Sequence, residues 1–172
     1  LNYKLLLSNT YHLYLRPALD ILKKFKGLRN FMDWDGAILT DSGGYQIYSL
    51  SNFRKISDDG VEFKSHLDGS MHYFTPEKII DIQRIIGSDI MMVLDICPSA
   101  EASIKDHEKA VITTTKWAKR CLEHSKNTPS LYNYNQTVCP IIQGGTNEKL
   151  RKLSAEDLIS LDAPMYAMGG LA

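Results

Sequence analysis

The chain has 172 residues, 44% of them hydrophobic, with 20 Lys and Arg matched by 20 Asp and Glu. That balance excludes a disordered polyelectrolyte, and eleven Gly with six Pro exclude a collagenous or low-complexity chain. A net charge of zero gives no basis for bulk electrostatic capture of nucleic acid, which leaves room only for a local basic patch.

In chain order, residues 3–7 form a short apolar run that ends at Ser8-Asn9-Thr10. Leu19, Ile21, Leu22 and Phe25 fall at helical spacing and predict a helix over 17–25, capped by Gly27. Ala37–Thr40 is the second run and ends at Asp41-Ser42-Gly43-Gly44. Residues 61–66 and 71–74 flank Leu67-Asp68-Gly69-Ser70, a hairpin pattern. Thr75-Pro76 combines an N-cap residue with Pro at the first helical position. The helix it opens carries Ile79, Ile80, Ile82, Ile85 and Ile86, and Gly87 stops it. Residues 90–94 are a buried-strand run ending at Asp95. A long helix over 107–125 follows, with Ala110, Val111, Thr114, Trp117, Ala118 and Cys121 on one face. Residues 138–142 form the fourth run, ending at Gln143-Gly144-Gly145. One or two short helices span 147–161, where Ser154 and Asp157 have capping-box spacing. Residues 165–168 form the fifth run, ending at Gly169-Gly170. Apolar runs alternating with helices predict an α/β fold of about five βα units on a parallel sheet, with a β-hairpin inserted after the second.

The length suits one domain. No apolar run approaches the roughly 18 residues of a membrane span. The start, Leu1-Asn2-Tyr3-Lys4, has neither a signal layout nor an initiator Met, so a truncated chain is expected. Cys97, Cys121 and Cys139 show no disulfide framework or CxxC clamp, and free thiols suit a reducing, cytoplasmic setting. His66 and His72 are placed to approach across the hairpin, as a metal-binding pair or as a satisfied surface pair.

Asn9-Thr10, Asp41-Ser42, Asp95, Gln143 and Gly169-Gly170 each follow the C-terminal end of a predicted strand. Parallel α/β folds place ligands at that edge, so five strand ends are expected to converge on one pocket. Asp41 there suits acid/base work, Gly43 and Gly44 allow close backbone approach, and Tyr45 offers a stacking face. The same stretch also reads as an Asp-capped glycine turn. It is neither GxGxxG nor a Walker loop, so it gives no support for nucleotide phosphate binding. Asp95, after five apolar residues, needs a partner or a ligand, and the adjacent N–H donors of a guanine edge suit it. A cap for the segment before Pro98 is the plainer reading. Cys97 reads as a small buried hydrophobe. Gln143 can both donate and accept, and Gly169-Gly170 bares its backbone groups. Basic groups at 23–29, 116–120 and 149–152 read as solvated helix faces or phosphate contacts. The set suits a planar, hydrogen-bonding heterocycle, and its two carboxylates also suit a glycosidase.

Six motifs then stand in order: SNTYHLYLRP (8–17), WDGAILTDSGGYQ (34–46), TPEK (75–78), GSDIMMVLD (87–95), IIQGG (141–145) and AMGGLA (167–172). Nearly end to end, they resemble the bacterial tRNA-guanine transglycosylases, also called queuine tRNA-ribosyltransferases. The resemblance implies a zinc-containing (β/α)8 barrel. Such an enzyme replaces the wobble guanine of tRNAs with a GUN anticodon by the queuine precursor 7-aminomethyl-7-deazaguanine, through a covalent ribosyl-enzyme intermediate. By the same resemblance Asp41 is the acid/base residue acting on the exchanged base, and Tyr45 stacks on that base. Ser42, Gly43 and Gly44 complete the substrate loop. Asp95 reads the N1/N2 edge, Gln143 and the Gly170 backbone address the O6 side, and the Leu171 carbonyl faces the aminomethyl group. Asn9 lies beside the nucleophile.

In the family the nucleophilic Asp and the Cys/Cys/Cys/His zinc site lie further C-terminal. Residues 1–172 are therefore expected to be an incomplete domain, a partial (β/α)8 TIM barrel without the first strand, the nucleophile or the metal ligands, and inactive alone. Ile96 stands where the family more usually has Glu, which changes the pocket charge. The implied partners are tRNA, guanine and 7-deazaguanine bases, and a second copy in a full-length homodimer, in the cytoplasm and with no membrane. Two other classes stay open: a non-catalytic accessory subunit of a transglycosylase complex, and an unrelated TIM-barrel glycosidase.

Overall fold

The computed structural model describes residues 2–171; Leu1, and Ala172 at the end of the last motif, lie outside the described residues. Strand β1 (Leu5–Ser8) leads into the short helix α1 (Thr10–Leu13), a wide turn at Tyr14–Ala18, and helices α2 (Leu19–Lys24) and α3 (Leu28–Met32). Strand β2 (Ala37–Thr40) is followed by α4 (Gly44–Leu50) and by three strands, β3 (Arg54–Ile56), β4 (Val61–Lys64) and β5 (Met71–Phe74). Then come α5 (Pro76–Ile86), β6 (Ile90–Met92), α6 (Ile104–Asn127), β7 (Thr137–Cys139), β8 (Ile141–Ile142), α7 (Glu148–Ile159) and β9 (Ala167–Met168).

The strands pair in parallel in the order β1-β2-β6-β7, with Leu5 opposite Ala37, Leu39 opposite Ile90 and Met92 opposite Cys139. The expected single run 138–142 is cut at Pro140, which has no N–H to give the ladder. Thus β7 ends its pairing with β6, and β8 pairs in parallel with β9, Ile141 opposite Ala167. The result is an open α/β arc of parallel strands and connecting helices, the class the sequence predicts; the described residues do not close it into a barrel. No helix among them is long and apolar enough to cross a membrane.

Local signals set the helices that matter. The Thr75 hydroxyl accepts from Lys78 N, Pro76 fills the first position, and Gly87 at φ +83 ends α5. Ile79, Ile82 and Ile86 then bury against Tyr11, Leu22, Ile38, Phe63, Phe74 and Trp117, while Ile80 joins Met91, Val93, Ala118, Cys121 and Val138. Each such side chain contributes about 1.5–3 kcal/mol on burial. The predicted apolar face of α6 is buried as a unit, although the helix starts earlier, where Ser103 Oγ accepts from Asp106 N.

Several expectations are corrected. The helix predicted from residue 17 begins at Leu19, because Arg16 is extended and Ala18 sits at φ +76. At its end Lys26 (φ +56) and Gly27 (φ +104) both take positive φ, and Gly27 N donates to Leu22 O at 2.9 Å, so Gly27 does cap the helix, with Lys26 turning the chain before it. The hairpin gains a third strand, β3, paired antiparallel with β4. Residues 147–161 hold one helix, capped by Asn147, and Ser154 lies buried within it rather than at a cap. His66 and His72 each engage a tyrosine, Nδ1 meeting Tyr11 OH at 2.8 Å and Tyr14 OH at 3.1 Å.

Candidate active site

The strand ends enclose a pocket of about 290 Å³, walled by Asp41, Ser42, Gly43, Gly44, Tyr45, Gln46, Met92, Asp95, Cys97, Ile141, Gln143, Gly169 and Gly170. Eight of the ten residues assigned to the site from the sequence therefore face one space, with Cys97 and Gly169 beside them. Asn9 stands behind Asp41 rather than in the wall. Leu171 lines an adjoining pocket with Ile104, His107, Thr146 and Asn147, and Gly170 borders both.

Asp41 follows the last residue of β2. Its Oδ1 accepts from Thr10 N at 2.9 Å and Gly43 N at 3.1 Å, and its Oδ2 accepts from Asn9 Nδ2 at 2.5 Å. A carboxylate offers about four lone pairs, so one on Oδ2 is left for a proton or a ligand. Burial pushes the Asp41 pKa up to about 6; the N–H donors from Thr10, Gly43 and Asn9 pull it down, and nearby Asp95 pushes it further up. A group poised there can both hold and release a proton near neutrality. Thr10, to which the sequence alone assigns no role, also donates its hydroxyl to Asp41 O. Its position directly after Asn9 at a strand end was the available signal.

Asp95 lies just past β6, deep in the pocket. Ser42 Oγ donates to its Oδ1 at 2.7 Å and Gln143 Nε2 to its Oδ2 at 2.7 Å. Burial raises its pKa, and the two donors oppose the rise. Each oxygen keeps a further lone pair, so the carboxylate can accept a pair of adjacent N–H groups. Gly44 is required beside it: a Cβ there would lie 2.5 Å from Asp95 O. Gly44 N donates to Ser42 Oγ, which aligns the serine for Asp95.

Gln143 is buried, and its backbone N–H donates to Ser154 Oγ at 3.1 Å. Its Oε1 has no partner among the described residues and waits for a donor. Tyr45, in the first turn of α4, is 60% exposed, so its ring lies open at the mouth. Met92 and Ile141 complete walls that the sequence did not flag, because apolar strand residues carry no chemical signature; Gln46, a polar residue of α4, joins them. Burial also raises the Cys97 thiol, which suits a wall residue and not a thiolate nucleophile.

The basic groups divide. Arg29 pairs with Asp89 and Arg120 with Glu77, while Lys116 meets Asp58 and Lys152 meets Glu148. Among the described residues no group of three His, Cys, Asp or Glu can hold a metal, so these residues do not fit the zinc that the resemblance implies.

The family model described as queuine tRNA-ribosyltransferase matches residues 1–172. The chain is 53% identical over 172 residues to the queuine tRNA-ribosyltransferase of Dehalococcoides mccartyi, an alignment covering 99% of this chain and 42% of that protein. It is 52% identical over 168 residues to that of Thermoanaerobacter pseudethanolicus, covering 98% and 44%. It is also 52% identical over 168 residues to that of Oceanobacillus iheyensis, covering 98% and 43%. The chain thus spans less than half the length of these curated relatives.

Proposed function

The chain belongs to the queuine tRNA-ribosyltransferase family, and on that premise we propose that its protein exchanges the wobble guanine of GUN-anticodon tRNA for 7-aminomethyl-7-deazaguanine. The observation that carries the reading is Asp95, held by Ser42 and Gln143 at the floor of a pocket that Asp41 also lines and Tyr45 overhangs. A guanine-like base placed there gives its N1–H and N2–H to Asp95. Gln143 and the Gly170 backbone take the O6 side, the Leu171 carbonyl meets the aminomethyl group, and Tyr45 stacks on the ring.

Asp41 then manages the proton. An aspartate from the part of the family's length that this chain does not span attacks the ribose C1′. The C1′–N9 electron pair leaves with guanine, and protonated Asp41 supplies a proton to the departing base. The incoming base gives its N–H proton back to Asp41 as its nitrogen displaces the enzyme carboxylate, so protons balance over the cycle. A pKa near 6 keeps both forms of Asp41 accessible. The family's zinc, on this reading, is structural and bound outside residues 1–172, the full-length protein is a homodimer, and it works in the cytoplasm.

The test is incorporation of labelled guanine into GUN tRNA by the full-length protein, with trapping of a covalent tRNA adduct. Exchange that Asp41→Asn abolishes supports the reading. Tight tRNA binding with no exchange would assign the accessory role, and inhibition by free sugars but not by guanine would assign a glycosidase; either overturns it.

A further inference from the structure

Helix α7 lies beside the pocket without lining it, yet it holds both of the glycine-rich strand ends that do. Its Ser154 Oγ accepts from Gln143 N, as described. Its Arg151 Nη1 donates to Gly145 O at 3.2 Å and to Gly169 O at 2.9 Å. One nitrogen therefore ties the loop after β8 to the loop after β9, and these are the loops that present Gln143 and Gly170.

Electrostatics alone does not explain this arginine. It is the fourth residue of α7, where the helix dipole disfavours a cation. Unlike Arg29 and Arg120, it makes no ion pair with a carboxylate among the described residues. Among the described residues its guanidinium bonds only to the two carbonyls. Few other tethers cross from one loop to the other: Gly169 N donates to Ile142 O, and β8 and β9 share only two residue pairs. Gly144, Gly145 and Gly170 all have positive φ, so these loops are glycine-rich backbone with large conformational freedom to restrain.

We propose that Arg151 is a positioning residue for the base pocket: its guanidinium sets the spacing between the Gln143–Gly145 and Gly169–Gly170 loops, and so the fit of the O6 side of a bound purine-like base. This rests on the function proposed above. Removing the tether frees both loops to spread. Base binding then weakens, while the acid/base machinery at Asp41, on the other strands, keeps its geometry.

The experiment compares full-length wild type, Arg151→Met and Arg151→Lys. Hydrogen exchange is followed at 144–146 and 169–171, together with Tm and the KM and kcat for guanine at saturating tRNA. In Arg151→Met, exchange in both loops accelerates while α5 and α6 stay protected. KM rises about tenfold or more with kcat little changed, as expected for lost charge-assisted bonds. Arg151→Lys recovers most of the effect, because an ammonium has donors for both carbonyls. Unchanged loop exchange in Arg151→Met overturns the proposal. So does loss of protection throughout with a fallen Tm, or a lysine variant no better than methionine. Should wild type itself fail to exchange guanine, the proposed function falls, and the hydrogen-exchange comparison still decides the role of Arg151.

Discussion

Asn9 donates its side-chain amide to Asp41 Oδ2 at 2.5 Å, across 32 positions of sequence. The same side chain accepts from His12 N through Oδ1, capping α1. The amide therefore cannot flip: turning it would lose the cap and set a carbonyl against a carboxylate. A helix cap thus dictates that Asp41 meets a donor on Oδ2.

Asn9→Asp tests this. Aspartate caps as well as asparagine, so α1 persists, but two carboxylates now face each other and the pair's apparent pKa rises. The basic limb of kcat/KM for tRNA in the full-length enzyme, where Asp41 loses the proton it gives to the departing guanine, should move up by about one pH unit. An unmoved limb would show that Asn9 does not tune Asp41.

Asp41 also links stability to pH. Its folded pKa of about 6 lies above the ordinary 3.8, so between those values the unfolded chain has released a proton that the folded chain still binds. The contribution of Asp41 is thus full below pH 3.8, is lost as pH rises towards 6, and is flat above. The raised pKa of Asp95 acts in the same direction. The loss attributable to Asp41 is up to about 3 kcal/mol. Urea unfolding of wild type and Asp41→Asn across pH 4–8 should show the variant gaining relative to wild type as pH rises. Parallel curves would contradict it.

Replacing Asp95 by Asn should separate recognition from folding. The amide keeps the shape but offers one acceptor oxygen where Ser42, Gln143 and two base N–H groups need more. KM for guanine is expected to rise about a hundredfold, with Tm held within a few degrees. A guanine KM within threefold of wild type would remove Asp95 from base recognition.

At Tyr45 the ring and the hydroxyl can be tested apart. No hydrogen bond to the hydroxyl occurs among the described residues, and the ring is exposed. Tyr45→Phe should leave base exchange near wild type, and Tyr45→Ala should raise the base KM about tenfold through lost stacking. Equal losses in both variants would point to the hydroxyl instead.

Much of the architecture was legible because its signals are local. Ala37–Thr40 is a strand bounded by polar residues, and Thr75-Pro76 with Gly87 delimits α5 to the residue. Where local signals are weak or competing, the elements are not legible in the sequence. Strand β3 is exposed along its whole length, so it shows no alternation. Helix α4 starts within a glycine pair, and its buried Ile47 supplies the packing that glycine propensity does not. Ser154 has capping-box spacing, yet Asn147 already caps α7, and the serine serves Gln143 instead.

By itself the sequence determined which polar residues stand at strand ends, since apolar period, caps and glycines act over a few residues. Only the tertiary structure decided how those residues meet. Ser42 and Gln143 grip Asp95 from 53 and 48 positions away, and Arg151 ties the two glycine loops together. Such pairings follow from sheet register, and the pKa of Asp41 follows from how deeply that register buries it. Desolvation and long-range geometry belong to the packed chain, not to any local stretch of residues.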